Sequence, residues 1–522
     1  MSYSLSDYYN FLEAKMDVVE WSGFEIDVGN LHPSTRPHQK DAITWATRIG
    51  RGLIAKSFGL GKTHDQIEIG KLVHKKTDGR FLVICPLGVR RQFIEKDGPR
   101  LGVNFSFVST DYDIEMANSS YLITNYEPVR DGKINIHKHN FAGVSLDEGS
   151  VLRSLGSKTY QEFLQIFQEV SYRWVCTATP SPNNYKELLG YAEYLGIMDR
   201  GQALTRFFQR DTSKAGNLTL HPQHEKNFWL WVASWALFIY KPSDLGYSDE
   251  GYELPDLNVH WHKIEVDHTR AFTQTDSWGQ HRMFLDAAAG VREAVAEKRA
   301  TMQTRIDKML GIVQEKSDTQ WVIWCHLNEE QKLIESTLLE NGISCSSVFG
   351  SLTTEQGEAR LQDWEDKKTD ILLSKPMMLG SGLNLQQSHN MIFVGIDYKF
   401  QDFIQAVHRL YRFMQLHNVN VHILFAESEQ QVAMTLKKKW KQHDKLVEMM
   451  QGIVKKYGLT HWAIETGLKR NVSTLREEYQ GNAFKLVHTD STIELFNLVA
   501  AMENGATDPF ELKTGDQRNG KQ

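Results

Sequence analysis

Nine short apolar runs in two groups constrain this chain more than any other feature. GLIA (52–55), FLVIC (81–85), YLIT (121–124), GVSL (143–146) and WVCT (174–177) make the first group. WVIWC (321–325), ILLS (371–374), MIFV (391–394) and VHILF (421–425) make the second. Each is near-continuous in apolar character, so each reads as a strand covered on both faces, with the longer amphipathic stretches between them supplying the covering helices. The expected fold class is therefore α/β, with two lobes built on parallel sheets. A length of 522 residues exceeds one domain and allows each lobe its own core.

Between the groups the texture changes. The run FWLWVASWALFIY (228–240) is followed by the loop PSDLGYSDEGYELPDL (242–257) and the charged stretch DAAAGVREAVAEKRATMQTRIDKML (286–310). The expected plan is an N-terminal segment 1–30, a first lobe 31–200 that binds nucleotide, a helical and aromatic insert 201–315, a second lobe 316–430 and a mixed C-terminal extension 431–522. The aromatic run spans 13 residues without a charge. Crossing a bilayer needs about 20, so it reads as one buried or docking helix, and no membrane association is expected.

Hydrophobic content of 41% and charged content of 24% exclude fibrous or extensively disordered chains. The net charge of −6 gives no overall attraction to nucleic acid, so such binding must use local basic patches. Candidates are HKK (74–76), the pair Arg90 and Arg91, and LKKKWKQHDK (436–445); each also reads as a solvated helix face. The four cysteines form no CxxC pair, which suggests neither a zinc site nor a disulfide framework, and points to a cytoplasmic location. The N-terminus has no basic region followed by an apolar stretch, so no secretory signal is expected.

The segment AKSFGLGKT (55–63) follows the run GLIA and precedes a helix-compatible stretch. A glycine-rich turn lets backbone amides point at an anion, and the next helix adds its partial positive N-terminus. Gly59 and Gly61 would make the turn, Lys62 would reach the terminal phosphates, and Thr63 would hold magnesium. The strict spacing is not met, because Lys56 stands at the first glycine position. LDEGS (146–150) leaves another strand at its C-terminal end, where a magnesium ligand and a residue to orient the attacking water are needed. Asp147 and Glu148 fit those roles, and TATP (177–180) ends a third strand.

Taken in order, these segments resemble a superfamily-two helicase, and more closely its Swi/Snf-like branch of DNA translocases, over residues 31 to 430. The resemblance implies two RecA-like lobes with ATP and Mg2+ held between them. RPHQ (36–39) is similar to the family segment whose glutamine reads adenine, which assigns that role to Gln39. ICPLGVRRQFIEK (84–96) and TNYE (124–127) resemble motifs that touch the nucleic-acid backbone, assigning such contacts to Arg90, Arg91, Thr124 and Asn125. TATP resembles the loop that couples hydrolysis to movement, through Thr177 and Thr179. SKPMMLGSGLNLQ (374–386) is similar to a second-lobe motif; it adds Ser374 and Lys375 as nucleic-acid contacts and a loop with Gly380, Gly382, Leu383 and Asn384, of which Gly382 faces nucleotide. QAVHRLYRFMQ (405–415) resembles the family's final motif, with Gln405 at the nucleotide and Arg409 and Arg412 as catalytic arginines. Two positions depart from the pattern: Ser150 replaces a histidine and Met414 a glycine.

The resemblance implies a nucleic-acid-dependent ATPase that translocates on duplex DNA through phosphate contacts. Two alternatives stand beside it: a strand-separating helicase on DNA or RNA, and an ATP-switched subunit of a restriction, modification or mobile-element system. The loop at 242–257 and the aromatic run look like those of phage and mobile-element helicases found beside DNA methyltransferases. FKLVHTDSTIELF (484–496) and TDPF (507–510) loosely resemble pieces of such a methyltransferase, which makes one a candidate partner.

Overall fold

The apolar runs of the first group become parallel strands whose C-terminal ends share one edge. In the computed structural model, which describes residues 19, 21–180, 185–210, 218–265, 298–316, 319–379 and 383–457, they are β1 (Arg51–Lys56), β2 (Phe81–Ile84), β3 (Ser106–Phe107), β4 (Tyr121–Thr124), β5 (Gly143–Asp147) and β6 (Tyr172–Thr177). A short antiparallel pair, β7 (Phe208–Arg210) and β8 (Leu218–Leu220), stands apart from them. The next strand, β9 (Ala236–Ile239), returns to the first sheet, whose order is β3-β4-β2-β5-β6-β1-β9. Adjacent placement of β5, β6 and β1 brings Asp147, Thr177 and the loop after Lys56 to one rim, where open α/β sheets bind ligands.

Helix α1 (Pro37–Ile49) opens on a proline, and α2 (Lys62–Thr77) follows directly on Gly61. A proline suits the first helical position because its missing N–H would have no intrahelical partner there.

The second sheet has the order β10-β15-β14-β11-β13-β12, all neighbours parallel. Its strands are β10 (Leu257–Ile264), β11 (Trp321–Trp324), β12 (Cys345–Ser347), β13 (Ile371–Ser374), β14 (Asn390–Phe393) and β15 (Val419–Ala426). Successive side chains of a strand point to opposite faces. Accordingly Val322 and Trp324 enter one core with Leu372, Met391, Phe393 and Val421, while Trp321 and Ile323 enter another with Ile371, Leu373 and Ile392. Both faces are dry, which is why these runs show no alternation. Helix α3 (Met302–Glu315) covers one face through Ile306 and Met309. The other is covered by α4 (Phe400–Val407) and by α5 (Gln430–Tyr457) through Val432, Ala433 and Leu436.

The chain divides into two compact units. One comprises Trp21–Arg200 and Ala236–Lys455 and holds both sheets; the other comprises Met1–Glu20, Gly201–Trp235 and Lys456–Gln522. In the latter, the described residues form the β7/β8 pair and a helix at Glu225–Ala233, with Phe207, Phe228 and Trp231 rings 5.1 to 5.9 Å apart.

Two expectations for the insert need correction. The aromatic run is not one helix: the helix stops at Ala233 and the run continues as strand β9, paired with β1. A uniformly apolar run carries no period, so it cannot reveal where helix gives way to strand. Strand β10 also falls inside the stretch read as helical, and pairs with β15 over eight residues. As an edge strand it is half-exposed, and its polar and histidine content hid it. Gly380, Gly382 and the tail segments 484–496 and 507–510 lie outside the described residues. Among the described residues no helix is long and apolar enough to cross a membrane.

Candidate active site

The loop between β1 and α2 turns on Gly59 and Gly61, at φ +84° and +77°, a backbone region that side chains with a Cβ rarely adopt. A Cβ on Gly61 would lie 2.4 Å from Gln39 Nε2, so a side chain there would also displace the Gln39 amide. Lys62 folds back over the loop: its Nζ donates to Lys56 O at 3.0 Å and lies 5.3 Å from the centre of the Phe58 ring. Burial holds its ammonium below the ordinary value, and Glu148 and Asp147 oppose that shift.

Lys56, the departure at the first glycine position, points away from the phosphate cradle. Its ammonium is fully buried and lies 2.5 Å from Asp65 Oδ2 on α2. Asp65 is pushed up to about 6, chiefly by burial, with Lys56 pulling the other way. Gln39, the assigned adenine reader, donates to the second Asp65 oxygen at 3.2 Å and accepts from Arg36 N at 3.1 Å. Its amide therefore braces the loop.

Asp147 ends β5 with Oδ1 accepting from Gln66 Nε2 at 2.7 Å, while Gln66 Oε1 accepts from Ser145 Oγ at 2.7 Å. Burial first, and then Glu148, push Asp147 up to about 7. Glu148 sits at φ +49°, a left-handed backbone on a residue with a side chain. Its Oε2 accepts from Thr177 Oγ1 at 3.3 Å on one side and from Gln405 Nε2 at 3.3 Å on the other. The assigned coupling residue Thr177 thus touches the acidic pair directly, and Thr179 N donates to Thr177 Oγ1 at 3.1 Å.

Gln405 belongs to the second lobe, and its neighbours follow it into the cleft. Arg409 is buried and donates to Leu383 O at 3.2 Å; burial lowers it to about 10, against the attraction of Glu148 and Asp147. The Nε of Arg412 is buried without a hydrogen-bond partner. His408 stacks on Phe58 with ring centres 4.3 Å apart, and a side chain at Gly59 would meet Phe413. The resulting cavity, about 220 Å³, is lined by Lys62, Thr63, Asp147, Glu148, Arg409 and Arg412 among others. Lys62, Arg409 and Arg412 with Asp147 and Glu148 around a glycine turn suit a polyphosphate with a divalent cation, which Thr63 and Asp147 would hold.

The same cavity is lined by residues that sequence reasoning passed over: Phe58, His64, Val89, Gln92, Asp97 and Arg100. Arg100 donates to Asp97 at 2.9 Å and to Ser34 at 3.2 Å; Gln92 donates to Asp97 at 2.8 Å. Gln92–Asp97 is a wide π-helical turn, a geometry common at functional sites. Phe58, Val89 and Gln92 lie inside segments singled out above but carry no assigned role there, and no motif marks His64, Asp97 or Arg100.

Thr124, Asn125 and Ser374, the expected nucleic-acid contacts, are buried. Asn125 Nδ2 donates to Cys85 O at 2.9 Å, Ser374 Oγ donates to Val348 O at 2.9 Å, and Thr124 is fully buried at the end of β4. Asn125 and Ser374 close strand ends against their neighbours, while Thr124 Oγ1 is buried without a hydrogen-bond partner. Arg91 pairs with Glu95 at 2.9 Å and with Glu358 of the second lobe at 2.7 Å; Arg90 lies over the Phe107 ring at 4.5 Å. Lys375 donates to Asn328 Oδ1 at 2.6 Å from an exposed position.

Paired parallel sheets, a glycine loop ending in Lys62 and an arginine pair in the facing lobe are the fold and site of a two-lobed, helicase-type ATPase. The chain matches an SNF2-related domain at residues 38–214 and a helicase conserved C-terminal domain at 303–414, and it is homologous to SWI2/SNF2 family ATPases. It is 23% identical over 431 residues to the DNA annealing helicase and endonuclease ZRANB3 of Bos taurus, covering 76% of this chain and 39% of that protein. It is 22% identical to the chromodomain-helicase-DNA-binding protein 1-like of Danio rerio, covering 78% and 42%. The chain thus spans about two fifths of the length of these relatives. The Sulfolobus solfataricus SWI2/SNF2 ATPase core in complex with dsDNA aligns with a TM-score of 0.40 at 16% identity, over 83% of this chain and 97% of that one.

Proposed function

We propose that this chain is a nucleic-acid-dependent ATPase that translocates on duplex DNA, with hydrolysis coupled to closure of the two lobes. The observation that carries the reading is the Gln405 to Glu148 hydrogen bond, which puts a second-lobe amide on the carboxylate that would orient the attacking water. Lys62 and Mg2+ held by Thr63 and Asp147 would neutralise the bound phosphates. The charge that develops on the transferred phosphoryl group still needs a further cation, and an arginine there is worth roughly 10³ to 10⁵ in rate. Arg409 and Arg412 reach the cavity only from the second lobe. Turnover therefore requires closure, and product release permits opening.

Duplex DNA as the track rests on homology to SWI2/SNF2 ATPases and on relatives such as the DNA annealing helicase and endonuclease ZRANB3 of Bos taurus. With Thr124, Asn125 and Ser374 buried, the proposed phosphate contacts fall first to the exposed Arg91 and the half-exposed Lys375. A cytoplasmic location, a phage or mobile-element setting and a methyltransferase partner belong to the same proposal; their support is the sequence resemblance alone.

ATP turnover with no nucleic acid, single-stranded DNA, duplex DNA and RNA tests the reading. Duplex DNA should stimulate most, Lys62→Ala should abolish turnover, and Arg412→Ala should reduce it by roughly 10²-fold or more. Equal turnover with and without every nucleic acid defeats the proposal. Stimulation by single strands alone, together with strand separation, would favour an unwinding helicase.

A further inference from the structure

Ser150, which stands where the DEAH-type motif has a histidine, is not left without a link across the cleft. Helix α4 carries Gln401 and Gln405 four residues apart, hence on one face. Gln405 reaches the Glu148 carboxylate, and one turn earlier Gln401 reaches the main-chain turn that carries it. Gln401 Nε2 donates to Ser150 Oγ at 2.5 Å. Its other end is also held, because Arg153 Nη2 donates to Gln401 Oε1. Both ends of one second-lobe carboxamide are engaged by the first lobe.

The direction of these bonds matters. A hydroxyl has one proton to give. Ser150 Oγ accepts from Gln401 and donates to Glu148 O at 3.3 Å, and Ser150 N donates to the same oxygen at 2.7 Å. The chain therefore runs from Gln401 N–H through Ser150 O–H to the Glu148 carbonyl. Glu148 holds a left-handed backbone at φ +49°. Such a conformation persists only where its surroundings enforce it. Arg153 adds a brace, with Nε donating to Ser150 O at 3.0 Å.

We propose that Gln401 is a positioning residue for hydrolysis: on lobe closure it donates to Ser150, and through Ser150 locks the strained Glu148 turn in the orientation that places its carboxylate in the cavity. The role rests on the ATPase reading above. Gln401 itself touches neither nucleotide nor water.

The test uses the full chain and four variants: Gln401→Met, which keeps volume without hydrogen bonds; Gln401→Glu, which still accepts from Arg153 but cannot donate to Ser150; Ser150→Ala; and the Gln401→Met/Ser150→Ala double. Amide hydrogen exchange over 147–153 is measured with a non-hydrolysable ATP analogue and duplex DNA, and kcat and KM for ATP with duplex DNA. Each single variant should raise exchange at Ser150 and lower kcat by about tenfold, with KM within about twofold, and the double should be no worse than a single. Wild-type exchange and kcat in Gln401→Met overturn the proposal. So does wild-type behaviour in Gln401→Glu, which would leave only the Arg153 link, and so do single effects that multiply in the double. If the wild type shows no DNA-stimulated turnover, the translocase reading fails on its own, while the exchange measurements still judge the Gln401 contact.

Discussion

A lysine at the first glycine position of a phosphate loop should crowd the cradle, and Lys56 avoids this by turning its ammonium inward onto Asp65. Removing one partner of a buried pair strands the other charge, so Lys56→Ala should destabilise the protein by roughly 3–5 kcal/mol, with Lys56→Met/Asp65→Asn recovering most of the loss. Urea denaturation of the three proteins would measure this. Met414 departs in the opposite sense. It occupies φ +73°, where the family pattern has glycine, and the residue is 76% exposed. A side chain in that region costs about 1–2 kcal/mol, and glycine gives back about 0.5–1 kcal/mol in unfolded-state entropy. Met414→Gly should therefore raise stability by up to about 1 kcal/mol, whereas the β-branched Met414→Val should lower it; a drop in the glycine variant's denaturation midpoint would contradict the strain argument.

At the scale of elements, what was legible depended on how each segment meets its neighbours. Strands covered on both faces announce themselves as apolar runs, and all nine runs coincide with a strand of a parallel sheet at nearly the stated residues, GLIA within β1, WVIWC around β11 and VHILF within β15 among them. Edge strands do not. β9 hides in an unbroken apolar run, and β10 mixes histidine, lysine and asparagine with its apolar residues. Helix α5 begins at the start of the stretch set apart as a C-terminal extension, yet Leu436 is 1% exposed in the core with Val421 and Phe403. Leu436→Ala should cost about 2–5 kcal/mol. A change in urea midpoint below what about 1 kcal/mol requires would mean that this helix is peripheral to the second lobe.

For the molecule as a whole, pH response follows from which groups the fold buries. Burial lowers His38 to about 3 and His64 and His443 to about 4, below the ordinary imidazole value of 6.5; nearby cations add to the effect at His38. A depressed pKa contributes stability that is present above 6.5 and lost as pH falls toward the folded value. Asp65 and Asp147, raised to about 6 and 7, act oppositely: their contribution is present below the ordinary 3.8 and lost as pH rises through those values. The histidines carry the larger combined shift, so the melting temperature should fall between pH 6.5 and pH 4. His443→Leu should flatten that slope. A melting temperature that rises over this range would show the two carboxyls to dominate.

Sequence alone determined the chemistry available at each strand end. Local rules suffice for that: a left-handed turn requires Gly59 and Gly61, a helix start after it presents Lys62 and Thr63, and parallel strands deliver Asp147 and Thr177 to one edge. Resemblance to a family motif singled out Gln405, Arg409 and Arg412 as well, because all three fall on one short segment. Only the tertiary structure decided what those groups meet. Gln405 and Glu148 are 257 residues apart, and Gln401 and Ser150 are 251 apart, so their contact depends on how two lobes pack. Packing within each lobe buries Thr124, Asn125 and Ser374, whose polar side chains read as surface until their strand neighbours enclose them. Exposure and partnership are properties of the assembled interior, and no local pattern encodes them.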